Sequence, residues 1–79
     1  MVSLIDYGAG NVRSVHKSLT AAGANVKLVS DPSLISSSGA VVLPGVGSFD
    51  DCINAMQKQE LLEAIRSFTS TGGPFLGIC

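Results

Sequence analysis

Residues 40–48 read Ala-Val-Val-Leu-Pro-Gly-Val-Gly-Ser. The run Ala40–Leu43 is wholly apolar and does not alternate, the pattern of a strand covered on both faces inside a parallel sheet. Pro44 is expected to end the strand. Gly45 and Gly47 give a turn in which the backbone is bare and unusual φ values are allowed. Ser48 then stands at a helix N-cap, with Asp51 three residues on in the capping-box position. Strand, glycine turn and capped helix in immediate succession are the building unit of an α/β sheet.

The segments on either side repeat that unit. Val2–Ile5 is a β-rich run closed by the turn cluster Asp6-Tyr7-Gly8-Ala9-Gly10. Asn11 takes a helix N-cap position, Val12, Val15, Leu19 and Ala22 follow at helical spacing, and Gly23 is placed to close the helix. Asn25–Val29 reads as a second strand. Asp31-Pro32 opens a short helical or turn segment, with Asp as cap and Pro at the first position. Ser36–Gly39 reads as loop. Beyond residue 48, Phe49, Cys52, Ile53 and Met56 form one apolar stripe, and Leu61, Leu62, Ile65 and Phe68 form another after a break near Gln59. Gly72-Gly73-Pro74 is a turn and Phe75–Ile78 a fourth strand. The order β-α-β-(short α)-β-α-β predicts a parallel, flavodoxin-like α/β sheet with helices on both faces. Ligand sites in such sheets lie off the carboxyl ends of the strands. The Asp6–Asn11 loop, the Pro44–Ser48 loop and Cys79 are therefore expected at one edge.

Composition narrows the function classes. The chain has 79 residues, 46% of them hydrophobic and 14% charged, with a net charge of −1. One domain at most is expected, and so apolar a chain suits a piece of a larger α/β protein. Neither the charge balance nor its distribution suggests a nucleic-acid or membrane-surface partner. Met1–Asp6 runs straight into a strand without a basic leader, and the two cysteines, Cys52 and Cys79, form no disulfide framework. A reducing, cytoplasmic setting is expected.

Three stretches carry candidate chemistry. Gly77-Ile78-Cys79 resembles the first half of a nucleophile elbow, with a small residue two before the nucleophile on a strand about to turn. A following helix N-terminus would favour the thiolate. The other reading of Cys79 is a buried structural cysteine at a strand end. Gly45-Val46-Gly47 offers bare N–H groups to an anion or a developing oxyanion, or is a plain turn. Asp6–Asn11 lacks the third glycine of a dinucleotide loop, since Arg13 stands there, so a Rossmann cofactor site is disfavoured. Asp50 and Asp51 fall in a first helical turn, where negative charge is favourable anyway. His16, the only histidine, reads as a boundary or surface residue, and Cys52 as core. No cluster at ligand spacing supports a metal site. A receiver-like binding domain would share the strand–helix alternation but would want more acidic residues at the strand ends than Asp6. Another cysteine hydrolase on the same sheet would keep the elbow.

Taken together, "IDYGAGNVRSV", "VVLPGVGSF" and "GGPFLGIC" resemble the class I, triad-type glutamine amidotransferases, in the branch of glutaminase subunits of imidazole glycerol phosphate synthase. The resemblance covers residues 1–79. It implies that Cys79 is the nucleophile that attacks the side-chain amide of glutamine, and that Gly45, Val46 and Gly47 form the oxyanion strand beside the substrate. It also implies that Tyr7, Gly8, Gly10 and Asn11 face a partner cyclase of (β/α)8 barrel fold, which receives the ammonia. No cofactor and no metal are implied. The family's catalytic histidine and glutamate lie late in its chains, and His16 does not match that histidine. Residues 1–79 are thus expected to be the N-terminal portion of one amidotransferase domain, inactive alone. Phe75, Leu76 and Ile78 are then expected along an unpaired apolar edge that makes the isolated segment aggregation-prone.

Overall fold

The computed structural model describes residues 1–8, 12–45, 53, 54, 57 and 60–78. In chain order these form β1 (Val2–Ile5), α1 (Val12–Ala21), β2 (Val26–Val29), a 3-10 helix (Pro32–Ser37), β3 (Ala40–Pro44), α2 (Leu61–Ser70) and β4 (Phe75–Ile78). The strands make one sheet in the order β2-β1-β3-β4, and every neighbouring pair is parallel. The step from β1 to β2 crosses the sheet in one direction and the step from β3 to β4 in the other. Right-handed crossovers therefore put α1 and α2 on opposite faces, and the sheet with helices on both faces is as the sequence predicts.

Register assigns the side chains to those faces. Ile5 pairs with Val29, Ser3 with Val41, and Val41 with Phe75. On their face Ile5, Val29 and Val41 pack with Tyr7, with Ile35 of the 3-10 helix, and with Leu61, Ile65 and Phe68 of α2. Each such buried apolar side chain is worth about 1.5–3 kcal/mol relative to exposure. The stripe read for α2 is thus the core stripe, and Ile53 and Leu62 are partly buried against it. The opposite face carries Leu4, Leu28, Val42, Leu76 and Ile78. Here α1 lays Val12, Val15, His16 and Leu19 down half-buried. A groove of about 280 Å³ runs between α1 and Ile78, lined by Val15 and Leu19. Leu28, Leu76 and Ile78 remain exposed. No residue of α1 is fully buried.

Helices α1 and α2 end in the same glycine device. Gly23, at φ 95, donates to the Thr20 carbonyl at 3.0 Å while the Ala24 N–H reaches Leu19 O at 3.1 Å. Gly72 (φ 87) and Gly73 repeat the pattern on Thr69 and Phe68, at 3.0 and 3.1 Å. These paired bonds satisfy carbonyls that would otherwise be orphaned at the helix ends. The break expected near Gln59 is met at Glu60, which takes the left-handed conformation at φ 60 and starts α2 without a side-chain cap.

Three boundaries differ from the sequence reading. Asn25 stays outside β2, and its carbonyl accepts the Val2 N–H at 2.8 Å. The 3-10 helix runs on through Ser36 and Ser37, because the Ser37 hydroxyl donates to Leu34 O at 3.0 Å. Pro44 does not end the ladder before itself but is the last residue of β3, paired with Ile78. Val41 N–H bonds toward β4, on Pro74 O, so the even-numbered positions of β3 face β1. The β1–β3 ladder has finished at Leu4–Val42, and the N–H that proline lacks would have met no strand there. Phe75, Leu76 and Ile78 lie along an apolar edge, as expected: β4 is the outer strand of the sheet and is exposed throughout. The helix expected to open at Ser48 and Asp51, with Phe49, Cys52 and Met56 on its stripe, falls at those positions outside the described residues; Ile53, Asn54 and Gln57 are helical.

Asp31 caps the 3-10 helix as expected, accepting from Ser33 N–H at 2.9 Å and from the Ser33 hydroxyl at 2.8 Å. The backbone bond first and the hydroxyl second hold its carboxyl below the ordinary value. A lowered folded pKa means that this stabilisation is complete above the ordinary carboxylate pKa. It is lost as pH falls through the lowered one. Denaturant midpoints followed from about pH 6 to about pH 2 should lose that acid component in Asp31→Asn, whose amide oxygen still caps. An unchanged pH profile in the variant would refute the assignment.

Candidate active site

The parallel sheet gathers the carboxyl ends of β1, β3 and β4 at one edge. At that edge the chain leaves β1 through Asp6, Tyr7 and Gly8. Asp6 N–H donates to Val29 O at 2.9 Å, which keeps the departing chain against β2. Gly8 N–H donates to Asp6 Oδ1 at 3.3 Å, and Gly8 takes φ 84, a conformation that a side chain would strain. Tyr7 continues the alternation of Ser3 and Ile5, so its ring turns into the core, where it is 2% exposed. Its hydroxyl donates to the carbonyl oxygen of Pro44. The loops that leave β1 and β3 are thereby tied to each other. Gly45 follows at the same edge, partly buried. Strand β4 ends level with β3, Pro44 opposite Ile78.

Of the residues singled out in the sequence, Tyr7, Gly8 and Gly45 are found together at this edge. Gly8 is exposed, whereas the Tyr7 ring faces inward. Gly10, Asn11, Val46, Gly47 and Cys79 lie outside the described residues. His16 is half-buried on α1, as a boundary residue. Asp6 is not the only carboxylate off a strand end: Asp31 follows β2 by two positions, but its Oδ1 is engaged by Ser33. Among the described residues, no three His, Cys, Asp or Glu side chains come together as they would around a metal ion. No described helix is long and apolar enough to cross a membrane.

The bond from Tyr7 to Pro44 is the site feature that sequence reasoning missed. A usable signal was present. A tyrosine two residues past the end of a buried strand keeps the strand's period of two and falls on the core face, where a buried hydroxyl needs a partner.

Comparison with known proteins agrees with this fold. The model of the family "Glutamine amidotransferase class-I" matches residues 3–79. The chain is similar to proteins named imidazole glycerol phosphate synthase subunit HisH. It is 46% identical over 79 residues to that of Caldanaerobacter subterraneus subsp. tengcongensis, covering 100% of this chain and 39% of the relative. It is 42% identical over 79 residues to that of Salinibacter ruber, covering 100% and 36%, and 40% identical to that of Lacticaseibacillus casei, covering 100% and 38%. The chain thus spans under two fifths of the length of these curated relatives. With an edge-sharing parallel sheet and a family match over nearly its whole length, the chain belongs to the class-I glutamine amidotransferases.

Proposed function

We propose that residues 1–79 are the N-terminal part of a glutaminase subunit of imidazole glycerol phosphate synthase, acting in the cytoplasm in histidine biosynthesis. The observation that carries this reading is the identity of 40–46% to HisH subunits over all 79 residues. The parallel sheet supports it, since the β3 loop and the end of β4 leave from one edge.

In this reading the Cys79 thiolate attacks the side-chain amide carbon of glutamine. The carbonyl oxygen becomes an oxyanion, held by backbone N–H groups of the Gly45–Val46–Gly47 strand. Collapse breaks the C–N bond, the base elsewhere in the subunit that took the Cys79 thiol proton returns it to the leaving nitrogen, ammonia departs, and a glutamyl thioester remains. Water hydrolyses the thioester to glutamate and restores the thiol. The ammonia passes to a cyclase subunit of (β/α)8 barrel fold, which makes imidazole glycerol phosphate. Exposed Gly8, with Gly10 and Asn11 following it in the chain, is the part of this loop assigned to that partner; Tyr7, buried in the core, is not. No step requires a cofactor.

The test is chemical trapping. The full-length subunit, assembled with its cyclase, is mixed with glutamine labelled in its carbon chain and quenched in acid. A thioester-labile label on the peptide that contains Cys79 is expected, and prior alkylation of the thiol should abolish both label and glutamate release. Glutamate release that survives complete alkylation of Cys79 would defeat the reading.

A further inference from the structure

We propose that Tyr7 is a positioning residue for the backbone that leaves β3: its buried hydroxyl fixes the Pro44–Gly45 peptide, and with it the start of the Gly45–Val46–Gly47 stretch. The inference rests on the oxyanion role proposed for that stretch.

Three torsions decide where the chain points as it leaves Pro44. The pyrrolidine ring locks φ of Pro44. The peptide to Gly45 is planar and trans, for the described chain holds no cis bond. That leaves ψ of Pro44, which sets the direction of the Pro44 carbonyl. This carbonyl faces β1, on the side where the ladder has already ended at Leu4–Val42. The Tyr7 hydroxyl donates to it there. Because N–H and C=O of a trans peptide point in opposite directions, holding the Pro44 oxygen also aims the Gly45 N–H away from β1. The next residue, Gly45, has no Cβ to limit its own torsions, so the orientation of the turn depends on how firmly the preceding peptide is held.

Tyr7 is built to hold it. The ring is 2% exposed and belongs to the core cluster with Ile5, Val41 and Leu61, so close packing fixes the ring that carries the hydroxyl. Pro44 is itself fully buried. Removing the donor leaves a buried carbonyl to find another partner, and turning the peptide is the way to find one. Tyr7 does not touch the reacting atoms in this scheme. It acts through the backbone that would stabilise the transition state, so its loss should appear in kcat and not in substrate affinity.

The experiment is Tyr7→Phe in the full-length subunit assembled with its cyclase. It keeps the ring and removes only the hydroxyl. For glutamine hydrolysis, kcat is expected to fall about 10- to 100-fold with KM within about twofold. Amide exchange at Gly45 should quicken by about tenfold or more. Exchange at Leu4 and Val41, and turnover on supplied ammonia, should stay as in the wild type. A rise in KM with unchanged kcat, an unchanged Gly45 exchange rate, or faster exchange throughout the core would each overturn the proposal. If the wild-type assembly shows no glutaminase activity that depends on Cys79, the functional reading has failed instead. The Gly45 exchange rate then decides alone whether Tyr7 positions the loop.

Discussion

Replacing Cys79 by alanine in the full-length subunit, assembled with its cyclase, is expected to lower glutamine-dependent turnover by at least about 10⁴-fold. Turnover on supplied ammonia should remain. On the proposed reading the sulfur forms and breaks the only covalent bond between enzyme and glutamine, so its removal forces water to attack an unactivated amide directly. The oxyanion donors and the binding pocket would survive, and what they stabilise by themselves sets the residual rate. Ammonia bypasses the whole sequence, because its addition takes place on the partner subunit. The split between the two nitrogen sources therefore separates chemistry from folding: a variant that misfolds or fails to assemble loses both. Retained glutamine-dependent turnover would remove Cys79 from the nucleophile's role. Parallel loss of both activities would show instead that the residue is structural, the alternative that its apolar surroundings, Phe75, Leu76 and Ile78, leave open in the sequence.

Much of the architecture was legible because local and long-range signals agree. Gly23 stands one helical period past Leu19, and the left-handed turn there completes two bonds back into α1. Leu61, Ile65 and Phe68 recur at helical spacing, and all are buried. The apolar run at residues 40–43 becomes a central strand because β1 and β4 flank it. Elsewhere the sequence holds no such redundancy. An apolar strand looks the same whether central or at an edge, so residue types alone could not place Phe75, Leu76 and Ile78; the family resemblance did, through the outer position of β4 in the strand order. Ile35 shows the reverse: a lone isoleucine in a serine-rich stretch gives no periodic signal, yet it is fully buried in the core. At the site, the sequence marked Gly45 and the turn after β1 as chemistry-bearing. It did not reveal that one holds the other, because the bond joins Tyr7 to a backbone atom 37 residues away, and a carbonyl oxygen leaves no trace in residue identity.

The second large effect concerns the end of α2. Phe68→Ala is expected to destabilise the protein by about 3–5 kcal/mol, since it empties a ring-sized volume at a core position. Gly73→Ala should cost about 1–3 kcal/mol for the opposite reason. Gly73 is the second glycine of the turn that closes α2, bonded through its N–H to Phe68 O at 3.1 Å. A Cβ there would lie well inside contact distance of the Phe68 ring carbons Cδ2, Cε2 and Cζ. The ring is 7% exposed, so it has little room to retreat. The backbone is not the obstacle: positive φ is found at the neighbouring Gly72 but not at Gly73. The two substitutions should therefore couple. Once the Phe68 ring is gone, the methyl group that Gly73→Ala adds enters the space it has left, and the lower entropy of the unfolded chain favours alanine over glycine by about 0.4–1 kcal/mol. Gly73→Ala should thus reverse sign, destabilising the wild type and stabilising the Phe68→Ala background, with a coupling of at least about 1 kcal/mol. Denaturant unfolding of the four members of the cycle, carried out on the full-length subunit, measures it. An equal cost of Gly73→Ala in both backgrounds would show that the Phe68 ring does not set the limit at this turn.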